Sequence, residues 1–489
     1  MGHHKRGTPR TQTELLPPTI EDYVGGDSIA RVIDAYVSGV DMAQVGFGRS
    51  APAHTGRPSY APDDLLKLYL YGYWNRLCSS RKLESECRRN LEVMWLLGRL
   101  SPDHKTIAEF RRVNAKALRE ACAAFVGCLR EMKVISAEAP VVAIDGSKFK
   151  ACAAKGSVLD AEQLAKQQKK IERQINDYLE ELDRGDQREE QAAKLTPAQI
   201  EAAVERLRKQ QHKLQEAQVE LQAREQCPGK KETPRVGLTD PDCVMLNRHG
   251  EALVGYNVQQ AVESEHKFIV AHEVTTCRND HSSLESMACK AQDALAAQAM
   301  TAVTDAGYVN GKQAQVCEQR GITPVVPGRE AANPHGKELY ANSQFVYDPA
   351  SDTYRCPAGA ILRRTRSLRS QQADRYETDA CAQCPLKAQC TKGARRRIER
   401  SWFKAAAERA DQRARDNPRL MRLPGATAEH PFGNLKAMLG GRFWLRTLPK
   451  VAGEMALAVL AYNLQRAVRV LGAAHLRQML NSRAAANPA

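Results

Sequence analysis

The N-terminal part of the chain has a helical pattern of apolar and polar positions. Apolar residues recur at intervals of three to four, which is typical of amphipathic helices: Leu65, Leu66, Tyr69, Leu70 and Tyr73. Ser101-Pro102-Asp103 is a helix-start signal ahead of another such segment. Further helices are predicted at residues 80–89, 91–97, 103–114 and 117–132. We therefore predict an all-helical domain at residues 56–135, after a Gly- and Pro-rich arm at residues 1–55.

Basic residues accompany these short helices, and Arg111 and Arg112 are among them. Short helices that are joined by tight turns and carry such residues suit a helix-turn-helix-like module that binds DNA. An ordinary helical bundle with a solvated basic face fits the same pattern.

Short apolar runs typical of buried strands begin after residue 140. Val141–Ile144 leads into Asp145, and Met300–Thr304 leads into Asp305, so each run presents an aspartate at the end of a strand. Further strands are predicted at residues 243–246, 253–262, 267–274 and 322–326, and helices at 282–296 and within 403–482. This order predicts an α/β fold with a mixed sheet flanked by helices. Its segments are residues 136–157, 227–329 and 401–482, before a flexible tail at 483–489.

Residues 158–226 have a seven-residue apolar repeat. The repeat occurs twice, at Leu164, Ile171 and Tyr178 and then at Ile200, Leu207, Leu214 and Leu221. Gly185 ends the first helix, and Thr196-Pro197 provides an N-cap and a first-turn proline for the second. The pattern predicts a helical hairpin with coiled-coil character. A surface hairpin that packs on itself and an oligomerisation arm both fit it.

The charge of the chain indicates a polyanionic partner. Lys and Arg outnumber Asp and Glu by 72 to 57, which gives a net charge of +15. Such a surplus usually accompanies nucleic-acid binding, although a generically basic protein has the same composition. No segment is apolar enough to span a bilayer and the basic N-terminus has no signal-peptide pattern, so a cytoplasmic location is predicted.

Four of the 14 cysteines are grouped within the basic segment 330–400: Cys356, Cys381, Cys384 and Cys390. In a cytoplasmic protein this many cysteines argue against a disulfide framework. The spacing suits a tetrahedral site for one structural Zn²⁺ ion, and four unrelated thiols are the alternative. Arginines flank the group, and we predict that they contact DNA phosphates: Arg395, Arg396 and Arg397.

A third acidic residue, Glu429, opens a predicted helix near the C-terminus. If Asp145, Asp305 and Glu429 converge, their charges repel one another unless cations lie between them. Carboxylate oxygens suit Mg²⁺ or Mn²⁺, and two such ions can clamp a phosphodiester. Strand-end aspartates are also common as turn or cap residues, so spacing alone does not establish the site.

Several motifs in a shared order resemble the DDE-type transposases of bacterial insertion sequences. AIDGSKFKA at 143–151 and TDAGY at 304–308 resemble the strands that carry the family's two aspartates, and AEHPFGNLK at 428–436 resembles its glutamate helix. Other segments match the helical opening domain at 86–112, the intervening strands at 238–246 and 255–263, and the closing helix at 460–466. The resemblance implies an RNase H-like catalytic core with an inserted cysteine segment.

The resemblance also implies roles for individual residues. Asp145, Asp305 and Glu429 match the three metal-binding acids, and Lys436 matches a lysine that contacts the DNA backbone. Relatives often have Tyr and Arg seven and four residues before the glutamate, where this chain has Arg422 and Gly425. Arg422 is therefore only a candidate DNA contact, and His430 is assigned a positioning role near DNA.

The function implied is that of a DNA transposase. It would bind the terminal inverted repeats of double-stranded DNA, cleave the element ends with two Mg²⁺ or Mn²⁺ ions, and join the 3′-hydroxyl to target DNA. A homodimer is expected in the DNA complex. A non-catalytic DNA-binding protein on the same scaffold and a nuclease without strand transfer are the alternatives.

Overall fold

The computed structural model describes residues 18–48, 58–186, 196–225, 233–248, 250–328 and 339–486. Residues 1–17 and 49–57, the turn of the hairpin, residues 226–232, residue 249, residues 329–338 and the last three residues of the tail lie outside this part. The chain divides into two compact units. The first comprises Met1–Ser136, Gly146–Arg278 and Ala428–Ala489, and the second comprises Ala137–Asp145 and Asn279–Thr427.

The N-terminal region of the first unit is helical, as the sequence predicts. Its helices are α1 (Ile29–Ser38), α2 (Met42–Val45), α3 (Pro62–Trp74), α4 (Ser80–Arg89), α5 (Leu91–Leu96), α6 (His104–Val113) and α7 (Ala115–Glu131). The helix-start signal is confirmed, because the Asp103 carboxylate accepts hydrogen bonds from the N–H groups of Lys105 and Thr106 at 2.8 and 3.1 Å. These bonds satisfy donors that have no partner within the first turn of α6.

Two strands and a helical hairpin follow the first core strand, β1 (Val141–Lys150). They are β2 (Val158–Leu159), α8 (Ala161–Asp186), α9 (Pro197–Glu225) and β3 (Val236–Gly237). The predicted hairpin is confirmed: apolar residues of both repeats form one buried cluster that includes Leu164, Ile171, Leu207 and Leu214. The seam is thus buried between α8 and α9 themselves.

Five further strands complete the main sheet: β4 (Val244–Arg248), β5 (Glu251–Glu263), β6 (Ile269–Thr275), β7 (Met300–Val303) and β8 (Ile322–Val325). Helix α10 (Leu284–Leu295) precedes β7, and helix α11 (Gly311–Gln319) precedes β8. In the first unit, β5 pairs antiparallel with β4 and β6. In the second unit, β1 pairs in parallel with β7, and β7 pairs in parallel with β8.

The strand order confirms the predicted fold class. The pairing order is β4-β5-β1-β7-β8, with β6 also paired to β5. A first strand between an antiparallel meander and two parallel strands is an RNase H-like arrangement. Gly255 permits the close approach of β5 to β1, because a Cβ there would lie 1.9 Å from the carbonyl oxygen of Phe149.

The C-terminal helices of the first unit are α14 (Glu429–Met438), α15 (Leu448–Leu471) and α16 (Ala473–Ala486). Helix α15 is buried on most sides, and it crosses α7 closely because Gly453 has no side chain: a Cβ would lie 2.5 Å from the Ala115 Cα. Asn463 of α15 accepts a bond from the N–H of Ile269 and donates one to its carbonyl, at 3.0 and 2.9 Å. No helix in the described part of the chain is long and apolar enough to cross a membrane.

The cysteine-containing segment of the second unit folds as a sheet, which the sequence analysis did not predict. Its elements are β9 (Val346–Asp348), β10 (Thr353–Arg355), β11 (Ile361–Leu368), β12 (Ala373–Glu377), α12 (Lys387–Cys390) and β13 (Ile398–Ser401), followed by α13 (Lys404–Asp416). The five strands pair antiparallel in the order β13-β12-β11-β10-β9. One face carries a small core formed by Phe345, Tyr354, Leu362, Tyr376 and Ile398.

Candidate active site

Two of the predicted acids lie just beyond the paired residues of two parallel strands. Ala143 of β1 pairs with Val303 of β7 in parallel register, and Asp145 and Asp305 each follow two residues later. Side chains two residues apart on a strand point to the same face, and neighbouring strands are about 4.8 Å apart. The parallel register therefore brings these two residues to the same end of the paired segment, although β1 continues through Lys150 and Asp305 lies beyond the end of β7.

Local structure fixes the Asp305 carboxylate. Asp305 caps a short helical turn, Ala306–Tyr308, and its Oδ1 accepts a hydrogen bond from the N–H of Gly307 at 2.7 Å. A Cβ on Gly307 would lie 2.8 Å from that oxygen, so a side chain at this position would crowd the carboxylate. Asp305 itself is exposed. The motif therefore holds an accessible acid in one orientation.

Helix α14 begins at the third predicted acid. Glu429 is exposed, and a π-helical turn, Pro424–Ala428, leads directly into it. The buried side chain of Gln260 on β5 donates from Nε2 to the carbonyl oxygen of Ala428 at 2.5 Å. This hydrogen bond fixes the backbone immediately before the glutamate. Sequence analysis did not assign this role to Gln260, although its motif was noted.

Lys436, two turns further along α14, binds to the second half of β1. Its Nζ donates to Ser147 Oγ at 2.6 Å and lies 5.3 Å from the ring centroid of Phe149. The ring of Phe432 is 6.0 Å away. These contacts attach α14 to the strand segment that directly follows Asp145 in the chain. The predicted contact of Lys436 with the DNA backbone stays a prediction.

His430 lies in an electropositive environment of the first unit. Partial burial lowers the pKa of its imidazole, and the charges of Lys267, Arg466 and Arg469 lower it further. The imidazole is therefore neutral near pH 7. The cations around it form a positively charged surface next to Glu429, which sequence analysis did not identify because they come from β6 and α15 and the segments beside them.

Other aspartates near the core have structural partners. Asp240 is fully buried, and it accepts hydrogen bonds from Tyr256 Oη at 2.8 Å and from the N–H of Thr447 at 3.0 Å. Asp242 accepts a bond from the N–H of Leu448 at 2.6 Å. Both carboxylates stabilise the segment that leads into α15.

The four grouped cysteines line one cavity of about 30 Å³ in the second unit: Cys356, Cys381, Cys384 and Cys390. Burial raises the pKa of the Cys390 thiol; Arg396 lowers it, and the nearby thiols raise it further. Throughout the described residues, however, no group of three or more histidine, cysteine, aspartate or glutamate side chains has the arrangement of a metal site. The thiols thus surround a common space without being placed as a ligand set.

The structure contradicts two of the predicted DNA contacts. Arg111 is 5% exposed, and its guanidinium donates to Tyr73 Oη at 3.1 Å and to Glu454 Oε1 at 3.3 Å. Arg396 is 1% exposed and donates to the carbonyl oxygen of Cys390 at 3.0 Å. A buried guanidinium whose N–H groups bind protein acceptors presents no surface to a phosphate. Both arginines are therefore structural.

The remaining predicted contacts are exposed. Arg422 ends a helical turn, Leu420–Arg422, in the second unit. Three others form surface ion pairs: Arg112 with Glu109, Arg395 with Asp379, and Arg397 with Glu377. Exposed pairs of this kind contribute little to stability, so these guanidinium groups can exchange partners at small cost.

Comparison with known families agrees with the geometry at both ends of the chain. Residues 18–113 match the family described as Transposase domain (DUF772), and residues 355–468 match the Transposase DDE domain. The two matches together support a DDE-type transposase of the insertion-sequence type. The second match includes Glu429, Lys436 and the cysteine group, and it covers the second sheet from Arg355 onward. No curated protein matches the chain.

Among solved structures, the transposase is similar to a chain in the cryo-EM structure of a piggyBac transposase synaptic complex with hairpin DNA. The match covers 93% of this chain and 80% of the other, with 9% identity and a TM-score of 0.31. That score is too low to bear on the fold, which rests on the strand pairing described above.

Proposed function

We propose that this transposase hydrolyses the phosphodiester at each end of its own mobile element and joins the freed 3′-hydroxyl to target DNA. The observation that carries the proposal is the pair Asp145 and Asp305, each two residues beyond the last paired residues of two parallel strands, in a chain whose C-terminal part matches the Transposase DDE domain. The terminal inverted repeats would be its first DNA substrate. A homodimer in the DNA complex would hold both ends together, and the cytoplasm is where that DNA would be met.

We assign Asp145, Asp305 and Glu429 as the ligands of two Mg²⁺ or Mn²⁺ ions. Carboxylate oxygens are the donors that these ions prefer, and the ions, when bound, activate the attacking oxygen and neutralise the leaving one. The protein contributes fixed carboxylates. Gly307 orients Asp305, and the hydrogen bond from Gln260 fixes the start of the Glu429 helix.

Removal of divalent metal tests the proposal. A labelled duplex carrying the element ends is expected to be cleaved at those ends with Mg²⁺ or Mn²⁺, and not after chelation with EDTA. Specific binding without cleavage under every metal condition would favour the non-catalytic alternative. Cleavage without joining of pre-cut ends to target DNA would favour the nuclease alternative.

We further propose that exposed basic side chains hold the DNA around these acids: Arg112, Arg422, Arg395 and Arg397, with His430 as a neutral hydrogen-bonding partner. Lys436 is included because its position in the motif at 428–436 matches the lysine that is expected to contact the DNA backbone. Such contacts would make the affinity fall steeply as the salt concentration rises.

The cysteine group supports a second, structural proposal: one Zn²⁺ ion held by Cys356, Cys381, Cys384 and Cys390. Four thiols around a cavity of about 30 Å³ provide the donor set and the space of a closed zinc site. Side-chain rotation would have to bring the sulfur atoms to coordinating distance, because they are not placed as a ligand set. The adjoining core is small, so bound metal would stabilise this part of the second unit.

Metal analysis of the purified protein tests the zinc proposal. About one Zn²⁺ per chain is expected, and none in a variant with Cys381→Ser and Cys384→Ser. Cys277→Ser, which changes an exposed cysteine outside the group, is the control and is expected to retain the metal. Wild-type protein free of zinc, with unchanged stability after chelation, would leave four unrelated thiols as the correct interpretation.

A further inference from the structure

The second sheet has an outer face that carries mostly exposed or half-buried side chains among the described residues. Residues paired across antiparallel strands share a face, and successive residues alternate between faces. Tyr354, Leu362 and Tyr376 lie on the inner face, in the small core. The paired residues that alternate with them lie on the outer face, and among them are Val346, Asp348, Thr353, Arg355, Ile361, Arg363, Arg366, Arg375, Glu377 and Glu399.

A β-bulge determines which arginines of β11 share this face. The register shifts between Arg364 and Arg366, so that Arg366 lies opposite Arg375 on the outer face. Without the bulge, Arg366 would alternate onto the inner face with Arg364. Arg364 does stay on the inner face, where its guanidinium is 3.8 Å from Asp352. The bulge therefore places Arg366 on the same face as Arg363.

The glutamates of the outer face are already paired with two arginines, Arg375 with Glu399 at 2.7 Å and Arg397 with Glu377 at 3.3 Å. Asp348, at the edge strand, accepts a hydrogen bond from Ser351 at 2.6 Å. That bond and others nearby lower its pKa, and the charge of Arg355 adds a smaller effect. Within the described residues, three exposed arginines of the outer face have no ion-pair partner: Arg355, Arg363 and Arg366.

The arrangement of these arginines is unfavourable for an isolated sheet. Arg366 lies directly opposite Arg375; like charges at directly opposed positions destabilise a sheet, and the ion pair of Arg375 with Glu399 reduces this repulsion. An anion bound between the strands would relieve the repulsion. Arg355 and Arg363 are diagonal neighbours on the adjacent strands β10 and β11, so their Cα atoms lie within about 8 Å of each other.

We propose that the outer face binds the sugar–phosphate backbone of double-stranded DNA. Apolar side chains lie among the arginines: Val346 is 67% exposed and Ile361 is 49% exposed, and both pair with Arg355. A DNA strand alternates phosphates with apolar sugar faces, which matches this mixture. Planar guanidinium groups bind phosphate through two parallel hydrogen bonds. The inference rests on the proposed function and assigns part of its DNA contact to this sheet.

The salt dependence of DNA binding tests the inference. Full-length protein with Arg355→Gln, Arg363→Gln and Arg366→Gln is compared with wild type on a short labelled duplex without divalent metal. Loss of three phosphate contacts is expected to reduce the magnitude of the slope of log K against log salt by about 2.7, which corresponds to about 500-fold weaker binding at 0.1 M salt. A control variant removes the same charge from the exposed surface of the hairpin: Lys170→Gln, Arg208→Gln and Lys213→Gln.

The outcomes distinguish a failure of the inference from a failure of the proposed function. A reduced slope in the sheet variant, with a wild-type slope in the hairpin variant, supports the inference. Equal slopes in the sheet variant and in wild type overturn it and leave the proposed function intact. If wild-type protein does not bind DNA, the proposed function fails, and the DNA-binding role of this face fails with it. Circular dichroism of the variant checks that the sheet remains folded.

Discussion

Asp305→Asn is expected to reduce metal-dependent cleavage by about 1,000-fold or more while leaving DNA binding intact. A metal ligand contributes several kcal/mol of charge stabilisation, and each 1.36 kcal/mol changes the rate tenfold. Asparagine caps helical turns as well as aspartate does, so the bond from Gly307 should persist. The change therefore removes the charge and keeps the local fold, and Asp145→Asn and Glu429→Gln should behave alike.

Asp41→Asn is the matched control for this prediction. Asp41 also caps a helix, accepting bonds from the N–H groups of Ala43 and Gln44 at 2.9 and 3.0 Å, and lies in the N-terminal region. The Asp41→Asn variant has the same chemical change, and it should cleave DNA as well as wild-type protein does. Full cleavage by Asp305→Asn would show that Asp305 is a cap only, and would remove it from the proposed metal site.

Sequence analysis could identify the acids because each lies in a segment with a recognisable local pattern. Asp145 and Asp305 follow continuous apolar runs, and such runs predict buried strands whose ends are exposed. Glu429 was found through the resemblance of its helix. The pairing that brings Asp145 and Asp305 to one end is not local, since it depends on the parallel register of β1 with β7. The sequence predicted the elements, and the structure supplied the register.

The second sheet was missed for a physical reason. Strands β9 and β10 have three residues each, which is too short for an alternating pattern to be recognised. In β11 the bulge at Thr365 interrupts the period of two, and arginines occupy both faces. A segment with these properties looks like a polar, basic loop, although its inner face buries Tyr354 and Leu362.

The DNA contact predicted for Arg111 was wrong because its partner is distant in the chain. Helix α6 carries Arg111 and Arg112 side by side, and periodicity alone does not separate a buried arginine from an exposed one. Glu454, which lies 343 residues further along, provides the carboxylate that permits burial. Only the tertiary fold distinguishes the two arginines, since Arg112 pairs with Glu109 on the surface.

The buried pair Arg111 and Glu454 leads to the second large prediction: Glu454→Gln should lower the free energy of unfolding of the first unit by about 3–5 kcal/mol. Glu454 is fully buried and accepts bonds from the N–H groups of Trp444 and Leu445 at 3.0 and 2.9 Å. Burial raises its pKa, and the charge of Arg111 lowers it. Glutamine keeps the shape of the side chain and leaves the buried guanidinium without its counter-charge.

Urea unfolding followed by circular dichroism measures this effect, and the control is Glu109→Gln. Glu109 pairs with the exposed Arg112 in the same helix, so its loss should change the free energy of unfolding by less than about 1 kcal/mol. The double variant Arg111→Met and Glu454→Met should recover much of the stability, because it leaves no unpaired buried charge. If the Glu454→Gln protein were as stable as the Glu109→Gln protein, Glu454 and Arg111 would not form a charged pair. The Glu454 carboxyl would then be neutral in the folded state, and other groups would balance the charge of Arg111.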